Sequence, residues 1–324
     1  MKILIWHKVW LSVALYLTII VILFKKNVFY VFETTPQASF TDLLNITNFE
    51  FLIQQPECSA DPLDLLVLVH TAPKNFLKRQ AIRHTWGNYT ENSKFGKYRI
   101  LFLLGMVHTK VEQAELILEN GIFEDLVQGN FIDHYHNMTY KHVMALKWFE
   151  NFCSNAKLLL KVDDDVLVNL PYILTSTKTN FWQALENEDG DFIFCKEWAK
   201  PLIDRNNNSK WYVSKNDVPG FYYPNFCSGS AIFYAPHTVK VLLNEIKFVK
   251  YLFMDDVFVT GLARNRTKIS ITHYGIVWNN KLDDVKKIDR NQKIKNFFIG
   301  PYNIEITDEY WKKIQILNQR YNIA

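Results

Sequence analysis

The chain has 324 residues, of which 48% are hydrophobic, 22% charged and 15% aromatic. That is an ordinary globular balance, long enough for one large domain or two small ones with a core that needs no disulfide staples. A formal net charge of +4 without a dense Lys/Arg run argues against nucleic acid as a partner.

Residues 9–24, VWLSVALYLTIIVILF, carry no charge. The run falls slightly short of the roughly 20 residues that span a bilayer, but flanking lysines extend it by snorkelling. It ends in Phe24-Lys25-Lys26 with no small-residue cleavage site, so we read it as an uncleaved signal-anchor. Residues 1–8 then form a cytoplasmic tail, 25–60 a polar stem holding Pro36 and Pro56, and 61–324 a lumenal domain. Lysines lie on both sides of the anchor and do not orient it. Five N-x-S/T triplets do, at Asn45, Asn88, Asn137, Asn207 and Asn265, since together they favour a glycosylated, lumenal C-terminal portion. Cys58, Cys153, Cys195 and Cys227 form no CxxC pair. In the lumen they suggest two disulfides, with three pairings open.

From residue 61 the pattern changes. Leu65-Leu66-Val67-Leu68-Val69 is a short apolar run, as expected of a buried parallel strand. Helical spacing follows over 76–86, a strand over 99–104, helices over 111–119 and 138–152, and a strand over 158–162. Further strands include FIFC at Phe192 and SAIFY at Ser230. Helices follow over 237–249, after Asp255, and over 304–320. Strands alternating with helices predict an α/β fold, with a Rossmann-like, mostly parallel sheet flanked by helices.

Four stretches carry chemistry. Asp163-Asp164-Asp165 follows the apolar strand LLLKV directly. Three carboxylates there repel one another and lose solvation, and a hard divalent cation relieves both costs. An extended turn would point Asp163 and Asp165 to one face and Asp164 to the other; a solvated acidic turn is the plain alternative. Asp255-Asp256 opens a predicted helix, as N-terminal partners of its dipole or as a general base aimed at a cleft. Arg79 and Arg83, four apart, share a helix face and present two forks suited to a diphosphate or a uridine edge. They would equally serve as ion-pair partners for acids elsewhere. The run from Lys210 to Gly229 is aromatic and turn-rich, fitting a sugar-binding wall or simply core.

Taken in order, these stretches resemble the β-1,3-glycosyltransferases of the galactosyltransferase type, inverting enzymes of GT-A fold in the animal Golgi. RxxIRxTW stands at Arg79–Trp86, FLLG at Phe102–Gly105, and NFIDHYHNMTYK at Asn130–Lys141. KxDDDxxVN follows at Lys161–Asn169, then KWYVS at Lys210, YPxFCSG at Tyr223, and DDVxxxG at Asp255–Gly261. The resemblance implies a UDP-sugar donor and Mn²⁺ (or Mg²⁺) held by Asp163 and Asp165. Arg79, Arg83, Lys161, Asp163 and Asp164 would surround the nucleotide. Asp256 would be the base, Asp255 would orient it or contact the acceptor, and Trp211, Tyr212 and Gly229 would meet the sugars. The expected reaction is β-1,3 transfer of a hexose, galactose first, to a glycan on a glycoprotein or glycolipid. N-acetylglucosaminyl or N-acetylgalactosaminyl transfer, or a silent glycan-binding protein, are the alternatives. The expected setting is a Golgi membrane, single-pass type II, with the catalytic domain in the lumen; whether the chain forms a homodimer is left open. Three departures stand out. Asp255 replaces the family's frequent Glu, and the match fades after Arg264. His273 lies early for a histidine metal ligand, so a non-Asp ligand stays unassigned.

Overall fold

A computed structural model describes residues 36–176, 191–273, 298–300 and 307–320. Helix α1 (Phe40–Asn45) and strand β1 (Phe51–Ile53) precede β2 (Leu65–His70), α2 (Phe76–His84), β3 (Tyr98–Met106) and α3 (Lys110–Phe123). Then come β4 (Leu126–Ile132), α4 (Met138–Phe152), β5 (Leu159–Asp163), β6 (Leu167–Val168) and α5 (Leu170–Ser176). β7 (Ile193–Trp198), β8 (Phe226–Tyr234), α6 (Pro236–Ile246) and a π-helix (Val257–Ala263) follow. β9 (Ile271–His273), β10 (Phe298–Ile299) and α7 (Thr307–Arg320) come last, and short helical turns such as Tyr89–Asn92 lie between these elements.

Eight strands form one sheet in the order β1-β4-β3-β2-β5-β8-β7-β9. The central block β4-β3-β2-β5 is parallel. Antiparallel pairings at β1–β4, β5–β8 and β7–β8 make the sheet mixed, while β7–β9 is parallel again, so four of its seven pairings are parallel. β8 runs against β5, so its first residues lie beside the end of β5, with Ala231 opposite Val162. The carboxyl ends of β2 and β5 and the start of β8 therefore share one end of the sheet. In open α/β sheets, that end is where ligands bind.

Both faces of the sheet are covered, which is why β2 is apolar at nearly every position. Its residues alternate between two cores. Leu66 and Leu68 join α4, α6 and the π-helix; Leu65, Val67 and Val69 face the side of α2, α3 and α7. The cysteines pair as Cys58–Cys153 and Cys195–Cys227.

Residues 36–60, expected as part of the stem, pack onto the sheet. They supply α1, the edge strand β1 and the half-disulfide Cys58. Asn130, fully buried in β4, holds them in place. Its amide donates to the carbonyls of Pro36 and Asn48, and its oxygen accepts the Glu50 N–H at 3.0 Å. The expected anchor and tail at 1–24 lie outside the described residues. Among those described, no helix is long and apolar enough to cross a membrane.

Candidate functional site

A cleft of about 690 Å³ opens at this end of the sheet. Asp163 and Asp165 line one side; Asp255, Asp256 and Gly229 line the floor. Trp198, Leu202, Lys210, Trp211, Tyr223, Tyr135, Met138 and Phe253 line the cleft as well. Lys210 Nζ lies 4.4 Å from the Trp211 ring centre and 5.9 Å from that of Tyr135.

The floor is built around Lys161, which is 1% exposed. Its ammonium lies 2.7 Å from Asp163 Oδ1 and 3.7 Å from Asp255 Oδ2, and also donates to the Gly229 carbonyl. One buried cation thus ties the acid at the end of β5 to the acid before the π-helix. Burial would lower the charge on Lys161, but Asp163, Asp255 and Asp256 raise its proton affinity. A charge so deep persists only when paired.

Asp256 Oδ1 accepts the Val257 N–H at 2.8 Å, and Oδ2 accepts that of Gly229 at 3.2 Å. A side chain at Gly229 would meet the Asp256 Cβ and Oδ2 at 3.3 Å, so a larger residue there would press on the carboxylate. The backbone below is fixed through Thr260, whose hydroxyl donates to the Asp256 carbonyl and accepts the Cys227 N–H.

The four acids differ electrostatically. Burial, reinforced by the charge of Asp255, pushes Asp256 up to about 7. Burial also tends to raise Asp255, but Lys161, His142 and the Asp256 N–H hold it below the usual carboxylate range. Adjacent carboxyls with proton affinities driven apart are the mark of a divided acid–base task. Burial pushes Asp163 up to about 7 against the pull of Lys161. Asp165 is raised by burial, with Lys78 opposing and Asp164 adding to the shift.

Asp164 turns away from this cleft. It accepts from Thr71, Asn75 and Lys78, each at 2.7 Å, and pins the acidic turn to the segment after β2. Asp163 and Asp165 are thus left facing the cleft together. Among the described residues, no group of three or more His, Cys, Asp or Glu side chains gathers to hold a metal. Two hard carboxylates open to a cleft nevertheless fit Mg²⁺ or Mn²⁺, which take one or two protein carboxylates and complete their shell with phosphate oxygens and water.

Arg79 and Arg83 do not reach the cleft. Arg79 is buried, paired through Nε and Nη2 with both oxygens of Glu119, and donates to the carbonyls of Ala72 and Pro73. Arg83 grips Asp125 and Glu119, with the Phe123 ring centre 4.0 Å from its guanidinium carbon. Their shared helix face turns to α3 because buried acids wait there. Of the aromatic stretch, Trp211 and Gly229 line the cleft and Tyr212 does not. Tyr223 and Phe226 of the same stretch line it too, and Tyr135, Trp198 and Phe253 do so without having been singled out. For Tyr135 the matching motif at Asn130–Lys141 was the available signal.

Among the sequons, Asn45, Asn207 and Asn265 are exposed, while Asn88 and Asn137 are partly buried. The Asn88 oxygen accepts the Glu91 N–H, and the Asn137 amide donates to Ile132.

The galactosyltransferase family profile matches residues 77–275. Human beta-1,3-galactosyltransferase 1 is 32% identical over 234 residues, covering 70% of this chain and 68% of that protein. Human beta-1,3-galactosyltransferase 5 is 33% identical over 221 residues, covering 66% and 67%. Among solved structures, the WbbM bifunctional glycosyltransferase aligns at 14% identity with a TM-score of 0.40, covering 83% of this chain and 52% of that one.

Proposed function

The chain belongs to the galactosyltransferase family, and on that premise we propose that it transfers galactose from UDP-galactose to a glycan hydroxyl in β-1,3 linkage, with inversion. The observation that carries the reading is the cleft itself. A buried carboxylate of raised proton affinity, Asp256, shares it with two open carboxylates, Asp163 and Asp165.

The chemistry follows from these placements. The acceptor oxygen forms a bond to the anomeric carbon as the bond from that carbon to the diphosphate oxygen breaks. UDP leaves with the electron pair, and the acceptor's proton passes to Asp256. A sugar hydroxyl is too weak an acid to ionise beforehand, so the base must act as the bond forms, a contribution on the order of 10²–10⁴-fold. Asp256 suits the task because it is unprotonated above about pH 7 yet holds a proton more firmly than an ordinary carboxylate. Its two backbone N–H bonds aim it without being strong enough to quench it. Asp163 and Asp165 would hold a divalent cation, which when bound supplies positive charge against the diphosphate. Lys161 offsets one of the four carboxylate charges in the cleft and so lessens their repulsion of the donor. Trp198, Trp211, Tyr135 and Phe253 offer apolar faces to the sugar rings.

The same reading places the domain, a GT-A fold, in the Golgi lumen behind a type II signal-anchor at 9–24, with N-glycans on its exposed sequons. The paired cysteines support an oxidising compartment.

The test compares native chain, Asp256→Asn, and Asp163→Ala/Asp165→Ala. Asp256→Asn should retain UDP binding and lose transfer; the double variant should lose Mn²⁺-dependent UDP binding. Transfer surviving in Asp256→Asn would remove that residue as the base.

A further inference from the structure

Beneath the cleft floor lies a buried histidine that the reaction just described does not use. His142, on α4, is completely buried. Its Nδ1 is 2.8 Å from Asp255 Oδ2 and its Nε2 is 3.0 Å from the Tyr234 hydroxyl on β8. We propose that His142 is a positioning residue for the transfer step: from beneath the cleft its ring fixes the Asp255 carboxylate, whose charge then stands beside Asp256.

The hydrogen-bond pattern is directional. Burial lowers the proton affinity of the ring, so His142 is neutral and carries one N–H. An ionised Asp255 only accepts, which places that proton on Nδ1 and leaves Nε2 to accept from the Tyr234 O–H. Tyr234 stays protonated, since burial and the charges of Asp255 and Asp256 raise its proton affinity far above the ordinary phenol. Were Asp255 protonated instead, it would donate to Nδ1, and the ring proton would move to Nε2. The tautomer of His142 therefore reports the charge state of Asp255.

Each element packed around Asp255 offers a charged or titratable group. β5 brings Lys161 and Asp163, and α4 brings His142. β8 brings Tyr234, and Asp256 is the chain neighbour. His70, at the end of β2, stands edge-on to the His142 ring at 5.4 Å, kept neutral by burial and by Lys161. Of these, Lys161 is the charge that holds Asp255 ionised and His142 is the only side chain that hydrogen-bonds it among the described residues. Without that donor the Asp255 carboxylate, still ionised beside Lys161, is no longer held in place beside Asp256, and its charge opposes ionisation of Asp256 less.

The inference rests on the transferase reading, so the test has two arms. In the first, the full chain in detergent is labelled with ¹⁵N-histidine, and long-range ¹⁵N spectra read the His142 tautomer. Nδ1–H is expected at neutral pH, and Nε2–H would overturn the proposal whether or not the chain is active. In the second, the pH profile of kcat/KM is measured for the native chain, His142→Leu, His142→Asn and Asp255→Asn. His142→Leu should move the acidic limb down by up to about one unit, as displacing a neighbouring charge does, with the donor KM unchanged. His142→Asn, which restores a donor near Nδ1, should keep the native limb. In Asp255→Asn/His142→Leu the limb should lie where Asp255→Asn alone puts it. A folded His142→Leu with the native limb, or a further shift in the double variant, would show a structural role only. Should His142→Leu not fold, the tautomer and the His142→Asn profile decide. Absence of transfer by the native chain would sink the transferase reading and leave the tautomer result standing.

Discussion

Replacing Asp256 by Asn should abolish turnover and stabilise the fold, and the two effects have one cause. The carboxyl is raised from 3.8 to about 7 by burial and by Asp255. At about 1.36 kcal/mol per unit, ionising it inside the fold costs up to about 4 kcal/mol. Asn keeps an oxygen for the Val257 N–H but loses the Gly229 bond, worth about 1 kcal/mol. With local relaxation, the net gain should be about 1–3 kcal/mol at neutral pH and above. The sign follows from linkage. A carboxyl whose folded proton affinity is raised binds more protons folded than unfolded, so the native chain loses stability as pH rises from about 4 to about 7. The advantage of Asp256→Asn should accordingly be absent near pH 4 and full above about pH 7. Thermal unfolding across that range, at about 2–4 °C per kcal/mol for a domain this size, reads it directly. Equal midpoints for variant and native chain at about pH 8 would refute the claim that Asp256 sits strained beside Asp255.

Glu119→Gln should cost about 3–5 kcal/mol, because Arg79 would be left buried without its counter-charge; the donor KM of the folded fraction should not change. A rise in KM with unaltered unfolding would return Arg79 and Arg83 to the nucleotide. Cys58→Ser/Cys153→Ser opens a link between residues 95 apart and should lower stability by about 2–5 kcal/mol, seen as a lower denaturant midpoint. Asn130→Leu should release the segment 36–50 to limited proteolysis while the catalytic floor stays intact, because three of its hydrogen bonds bind that segment.

The sequence made the site's acids legible better than its surroundings. Asp163, Asp165, Asp255 and Asp256 stand out because carboxylates after a buried strand or before a helix are costly without a purpose, and all four line the cleft. The arginines misled because a helix period shows which side chains share a face but not which way the face turns. Glu119 and Asp125, dozens of residues away, decide that. Strand β4 was invisible because its centre reads Gln128-Gly129-Asn130, polar in a fully buried position. Gln128 is satisfied by Gly105 and Gln113, Asn130 by the segment before β1. The same partnership hid the folding of 36–60, since β1 has three residues and draws its stability from an edge it cannot announce. His142 likewise looked like one more residue of an amphipathic helix. Only the crossing of α4 over Asp255 and Tyr234 reveals its role.

The most direct test of the central claim supplies the native chain with Mn²⁺ and, in parallel, UDP-galactose, UDP-N-acetylglucosamine and UDP-N-acetylgalactosamine, with β-linked acceptor glycans. Product mass and the anomeric NMR signal are the readouts. The account predicts addition of a single hexose from UDP-galactose, β-configured and attached at the acceptor's 3-hydroxyl. An α-configured product, or UDP bound tightly with no sugar transferred to any acceptor, would contradict it.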